Sequence, residues 1–135
     1  MLQPKKVKYR LAMRGVIKGN SSRGYSLNFG EFGLKSLEGG WLSAKQIEAA
    51  RKTISAFTKK GGKLWIRVFP SKPITKKPAE VRMGGGKAPV DHFAAVVRPG
   101  AIIFEVSGLS RAVAAEAFRI ASSKLSFKTT FVEAH

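Results

Sequence analysis

Residues 43–69 read SAKQIEAARKTISAFTKKGGKLWIRVF, and within them the apolar period changes from helical to strand-like. Ser43 and Gln46 have the S-x-x-Q spacing of a capping box, in which the Ser43 hydroxyl accepts from the Gln46 amide and the Gln46 side chain accepts from the Ser43 amide. Beyond them Ile47, Ala50, Ile54 and Phe57 recur every three or four positions. That spacing predicts a helix with one apolar stripe, leaving Lys45, Arg51, Lys52 and Lys59 on the rest of its surface. Gly61-Gly62 ends it. From Lys63 to Phe69 the pattern alternates, with Leu64, Ile66 and Val68 set against Trp65, Arg67 and Phe69. This predicts a strand partly covered on both faces and stopped by Pro70. Trp65 and the helix stripe are expected in the core, and Trp41 is a candidate hydrophobic staple at the helix entry.

Toward the C-terminus, residues 70–89 hold Pro70, Pro73, Pro78 and Pro89, the run Gly84-Gly85-Gly86, and Lys72, Lys76, Lys77, Arg82 and Lys87 against Glu80. Such a stretch forms little core. A loop of this length in a small domain is usually functional, so it is a candidate contact region, with Glu80–Met83 a candidate short strand within it. His92–Val97 and Ala101–Val106 flank Arg98-Pro99-Gly100 and predict an antiparallel hairpin. Ser110 then caps a second helix whose face is Ala114, Ala117, Phe118, Ala121 and Leu125, and Phe127–Val132 forms a last strand. Toward the N-terminus, Gly15, Gly19, Gly24, Gly30 and Gly33 argue against a long helix and for irregular, extended chain across the stretch they punctuate. The order predicts an α+β sandwich of two helices on a mostly antiparallel sheet, as one domain over 1–135 with a basic arm (1–30) and a long basic loop (70–89).

The 135 residues carry 25 Lys and Arg against eight Asp and Glu, a formal +17. Such a chain repels itself unless a polyanion neutralises it, which makes nucleic acid the first partner to consider. Lys5, Lys6, Lys8, Arg10, Arg14, Lys18 and Arg23 all precede the first carboxylate, Glu31. Tyr9, Tyr25 and Phe29 are interleaved with that charge and can stack on unpaired bases, as RNA-binding surfaces require. No apolar run is long enough to span a bilayer, and neither helix pairs a broad apolar face with a strongly basic one, so no membrane partner is expected. The N-terminal stretch has no apolar signal region, so export is not expected, and the absence of Cys excludes disulfides and thiolate metal sites.

Catalysis has little material. Asp91 is the one aspartate and adjoins His92, but neighbours on a strand face opposite ways and cannot easily bond each other. His135 is terminal. Gly84-Gly85-Gly86-Lys87 has the glycines and lysine of a phosphate cradle, yet Ala88 and Pro89 follow where an NTPase loop needs a hydroxyl and a helix start. The same glycines can serve RNA phosphates or form a flexible tip. Glu48, Glu105 and Glu116 read as surface charges. No enzyme activity, cofactor or small-molecule substrate is expected.

MLQPKK, FGEFGLKSLEGGW, QIEAARKTI, GGKLWIRVFPSKPITKKPAEVRMGGGK, RPGAIIFEVSG, EAFRIASSKL and KTTFV, taken in order, closely resemble the bacterial L-sixteen family of large-subunit ribosomal proteins. The resemblance implies a cytoplasmic, ribosome-bound α/β sandwich that binds large-subunit rRNA, touches neighbouring ribosomal proteins, joins late in assembly and lies near tRNA and the peptidyl transferase centre. It implies rRNA contact for Lys5, Lys6, Lys8, Tyr9, Arg10, Arg14, Lys18, Arg23 and Arg51. It further implies that the loop bearing Lys76, Lys77, Arg82, Met83, Gly84, Gly85 and Lys87 points toward tRNA, with Arg82 a site of possible hydroxylation. Val16 and Ile17, where the family is richer in Arg, and Ala88, where it commonly has Gly, depart from the pattern.

Overall fold

The computed structural model describes residues 26–59, 61–75 and 90–134, with the backbone alone at 75 and 90–92. Helix α1 (Ala44–Thr58) begins as its sequence dictates. The Gln46 amide donates to Ser43 Oγ (3.2 Å) and the Ser43 amide to Gln46 Oε1 (3.0 Å), so two donors that the helix cannot satisfy internally are satisfied by the cap. Ile47, Ala50 and Ile54 are completely buried and the lysines face outward. Helix α2 (Arg111–Ser122) is capped by Ser110, whose hydroxyl accepts from the Val113 amide at 3.3 Å. It buries Phe118 and the small side chains of Ala114, Ala117 and Ala121, which let the two helices approach closely, while Leu125 lies beyond its end.

Among the described residues seven strands form two sheets, and every ladder is antiparallel. They are β1 (Phe32–Ser36), β2 (Gly40–Ser43), β3 (Lys63–Ile66), β4 (Lys72–Thr75), β5 (Val90–Val97), β6 (Ile102–Ser107) and β7 (Thr129–Glu133). The first sheet has the order β3-β6-β1-β7 and the second β2-β5-β4. The α+β class is as expected, but several elements differ from the sequence reading. β3 ends at Ile66, three residues early; the Arg67 amide still donates to Ile103 O (2.8 Å) before the chain leaves for β4. β4 occupies the start of the stretch expected to be a long loop. Residues 32–36, where the sequence reading placed no strand, form a central strand in which Gly33 admits the neighbouring chain, since a Cβ there would lie 3.1 Å from Phe104 O.

The expected hairpin does not exist. β5 pairs with β2 and β4, whereas β6 pairs with β1 and β3, so Arg98-Pro99-Gly100 carries the chain from one sheet to the other. Beside it Leu37-Glu38-Gly39 makes the opposite transfer from β1 to β2. Lys35 pairs with Ile102 and Gly40 with Val97, so equal lengths of chain intervene on the two sides. The two strands are therefore one bent antiparallel ribbon shared by both sheets, held at the bend by Gly100 N to Ser36 O and Ser36 N to Ala101 O, both 2.8 Å. Ile102–Val106 are five successive buried residues, so β6 is covered on both faces at the centre of the core.

Candidate nucleic-acid interface

Lys5, Lys6, Lys8, Tyr9, Arg10, Arg14, Lys18 and Arg23 lie outside the described residues, as do Lys76, Lys77, Arg82, Met83, Gly84, Gly85 and Lys87 and the candidate strand Glu80–Met83. The structure shows how the described chain is held beside each stretch. Thr75 of β4 pairs with Val90 of β5, after a register shift at Ile74/Thr75, so residues 76–89 connect two points that face each other across one ladder. A long cationic insertion is thus attached to the second sheet by a closed base. Asp91 and His92 are successive residues of β5.

The basic N-terminal stretch joins the first sheet through a buried carboxylate. Glu105 on β6 is completely buried, and its Oε1 accepts from three successive backbone amides, Asn28 (3.0 Å), Phe29 (3.0 Å) and Gly30 (2.9 Å). Its Oε2 takes the Arg67 guanidinium in a close ion pair, and the same Arg67 nitrogen lies 3.4 Å from Ser26 O. Three consecutive N–H groups converging on one oxygen form an anion nest, here filled by an internal carboxylate. Burial pushes the Glu105 pKa up, but the Gly30 and Phe29 amides and the Arg67 charge outweigh it, and the group is held below the ordinary carboxylate value. Gly30 sits so close to β6 that a Cβ would lie 2.5 Å from Val106 O.

Glu105 is not the surface charge that its residue type suggested. The signal was available in the run AIIFEV: a strand buried on both faces reads as continuous apolar sequence, and a carboxylate inside such a run needs a buried partner. Trp65, expected in the core, is only half-buried and stacks on Phe29 with ring centroids 5.9 Å apart. Phe29 remains 58% exposed, with the Arg67 guanidinium carbon 5.2 Å from its ring centre. Trp41 lies on β2 beneath the Lys72 ammonium, 4.8 Å from its ring centre.

Arg51, for which the family resemblance implied rRNA contact, lies on α1 and pairs with Glu48 at 2.5 Å. That hydrogen bond holds Glu48 below its ordinary pKa and raises that of Arg51. Arg119 pairs likewise with Glu116 on α2, and Arg111 with Glu133 on β7. Lys45, Lys52 and Lys59 are exposed at seven-residue spacing, which places them along one line of α1, about 10 Å apart on its axis. Among the described residues no group of three or more His, Cys, Asp or Glu could hold a metal, and no helix is long and apolar enough to cross a membrane.

These features define a class first: a basic α+β domain with an outward-facing cationic surface and two charged stretches of sequence joined to separate sheets. The sequence matches the family described as ribosomal protein L16p/L10e over residues 4–132, nearly the whole chain, and the protein belongs to that family. It is a ribosomal protein of the large subunit, from a family that is structural and not catalytic.

Proposed function

We propose that this chain, acting as one domain, binds large-subunit rRNA and supports late subunit assembly, with its 76–89 loop reaching tRNA near the peptidyl transferase centre. The observation that carries the reading is the +17 charge of a chain belonging to a ribosomal protein family. Lys and Arg set among phosphates displace counterions and hold RNA helices that otherwise repel. Lys5, Lys6, Lys8, Tyr9, Arg10, Arg14, Lys18 and Arg23 line the RNA from the arm, and Arg51 adds a contact from α1. Arg82, with Lys76, Lys77, Met83, Gly84, Gly85 and Lys87, serves the tRNA side, and is the residue on which a hydroxyl would add an RNA hydrogen bond without removing charge.

Two measurements test this reading. Quantitative mass spectrometry of large subunits pelleted through high salt is expected to give one copy of the chain per particle; a small fraction would instead indicate an assembly factor that leaves. Arg82→Lys keeps the charge but loses the planar fork that grips phosphate at two points. Subunits carrying it are expected to accommodate aminoacyl-tRNA several-fold more slowly, and unchanged accommodation would remove Arg82 from the tRNA contact.

A further inference from the structure

We infer that Phe29, packed against Trp65 and beside Arg67, is a preformed stacking site for one unpaired RNA base. The inference rests on the RNA-binding reading above and names a contact within it. The Phe29 ring is 58% exposed, so much of its surface is open to a partner. This ring is also fixed. Its own amide donates to Glu105 at 3.0 Å, the amides on either side do the same, and Trp65 supports it at 5.9 Å. Arg67 is equally constrained, because the carboxylate that holds the Phe29 backbone also pairs with its guanidinium. Two planar groups, one aromatic and one cationic, are thereby held together by a single buried acid, so little ordering remains to be done on binding.

The chemistry of the surroundings selects the occupant. An apolar protein surface would gain little beside Arg67 and a preceding segment that carries seven cations and no carboxylate. A nucleobase fits, since its π-face stacks on an exposed phenyl ring, and a chain of net charge +17 favours a polyanion. Stacking of this kind tolerates any base, so the site would choose an unpaired nucleotide over a paired one without reading its identity.

Short-wave ultraviolet cross-linking of purified large subunits, with nucleotide-bearing peptides mapped by mass spectrometry, tests the assignment. Phe29→Tyr keeps the ring and Phe29→Leu keeps apolar bulk without it; both are surface changes, and thermal unfolding of each purified chain checks that the fold is retained. The expected result is a nucleotide adduct at position 29 in the wild type and in Phe29→Tyr, lost in Phe29→Leu while adducts elsewhere in the chain persist. The purified Phe29→Leu chain should also bind rRNA on the order of tenfold more weakly. Adducts elsewhere in the chain with none at position 29, or equal binding by the leucine and tyrosine variants, overturn the stacking site and leave the RNA-binding reading standing. No adduct anywhere in the chain overturns both.

Discussion

At the scale of single residues, Glu105 decides most. A carboxylate without water is costly unless its charge and lone pairs are met, and here three amides and a guanidinium meet them. Removing it strands that guanidinium, only 13% exposed, and frees the amides, so Glu105→Ala is expected to cost about 3–5 kcal/mol in urea unfolding at neutral pH. The pH dependence has a definite sign. The folded protein holds Glu105 ionised more firmly than the unfolded chain does, so its contribution is complete above the ordinary carboxylate pKa of about 4.3. It is lost as pH falls through the lower folded value, because protonation there weakens the pair with Arg67. Glu105→Gln cannot make that loss. The stability difference between wild type and Glu105→Gln, measured by urea midpoints from pH 7 down to pH 3, should therefore be constant near neutrality and shrink in the acid range; a gap that stays constant down to pH 3 would refute the assignment of the charge to this group.

Elements were legible in proportion to how local their causes are. The capping box of α1 lies within four residues and the stripe Ile47, Ala50, Ile54 within eight, so the helix could be read directly. Replacing Ser43 by Ala removes an acceptor and is expected to lower stability by about 1 kcal/mol, seen as a shifted urea midpoint with unchanged slope. Ser43→Asp should retain most of it, since an aspartate oxygen can accept from the same amide; equal losses in the two variants would mean that β2, which ends at this residue, and not the cap, sets the cost. The sheets were harder to read because their partners are distant in sequence. Arg98-Pro99-Gly100 has local turn chemistry, and nothing within it says that the following strand belongs to another sheet. That is decided by β1 and β2, short strands containing Gly33 and Gly40, whose weak patterns gave no sign of a ribbon running through both sheets. Of the candidate site, the charged stretches were legible from composition. The Glu105 anchor was not, because carboxylates are read as solvated by default and its partners lie 38 and 75–77 residues away.

For the whole molecule, the two charged stretches are attached at separate places. The N-terminal stretch is anchored to the first sheet through Glu105, whereas residues 76–89 spring from the paired ends of β4 and β5 in the second. The bent ribbon joins the two sheets, so each attachment is fixed relative to the same core without depending on the other. A test follows from the closed base of the loop. Because Thr75 and Val90 are already paired, replacing 76–89 with a two-residue Asn-Gly turn removes no described core contact. Shortening the loop lowers closure entropy, so stability should be unchanged or rise by up to about 2 kcal/mol. Large subunits should still take up the shortened chain in full, since the arm and helix surface are intact, while tRNA-dependent steps of translation slow. If the shortened chain folds but fails to enter subunits, the loop is an assembly element and the division of labour between the two stretches is wrong. If it enters and translation proceeds at the normal rate, the loop does not serve tRNA, and its four cations, Lys76, Lys77, Arg82 and Lys87, must be explained by rRNA alone.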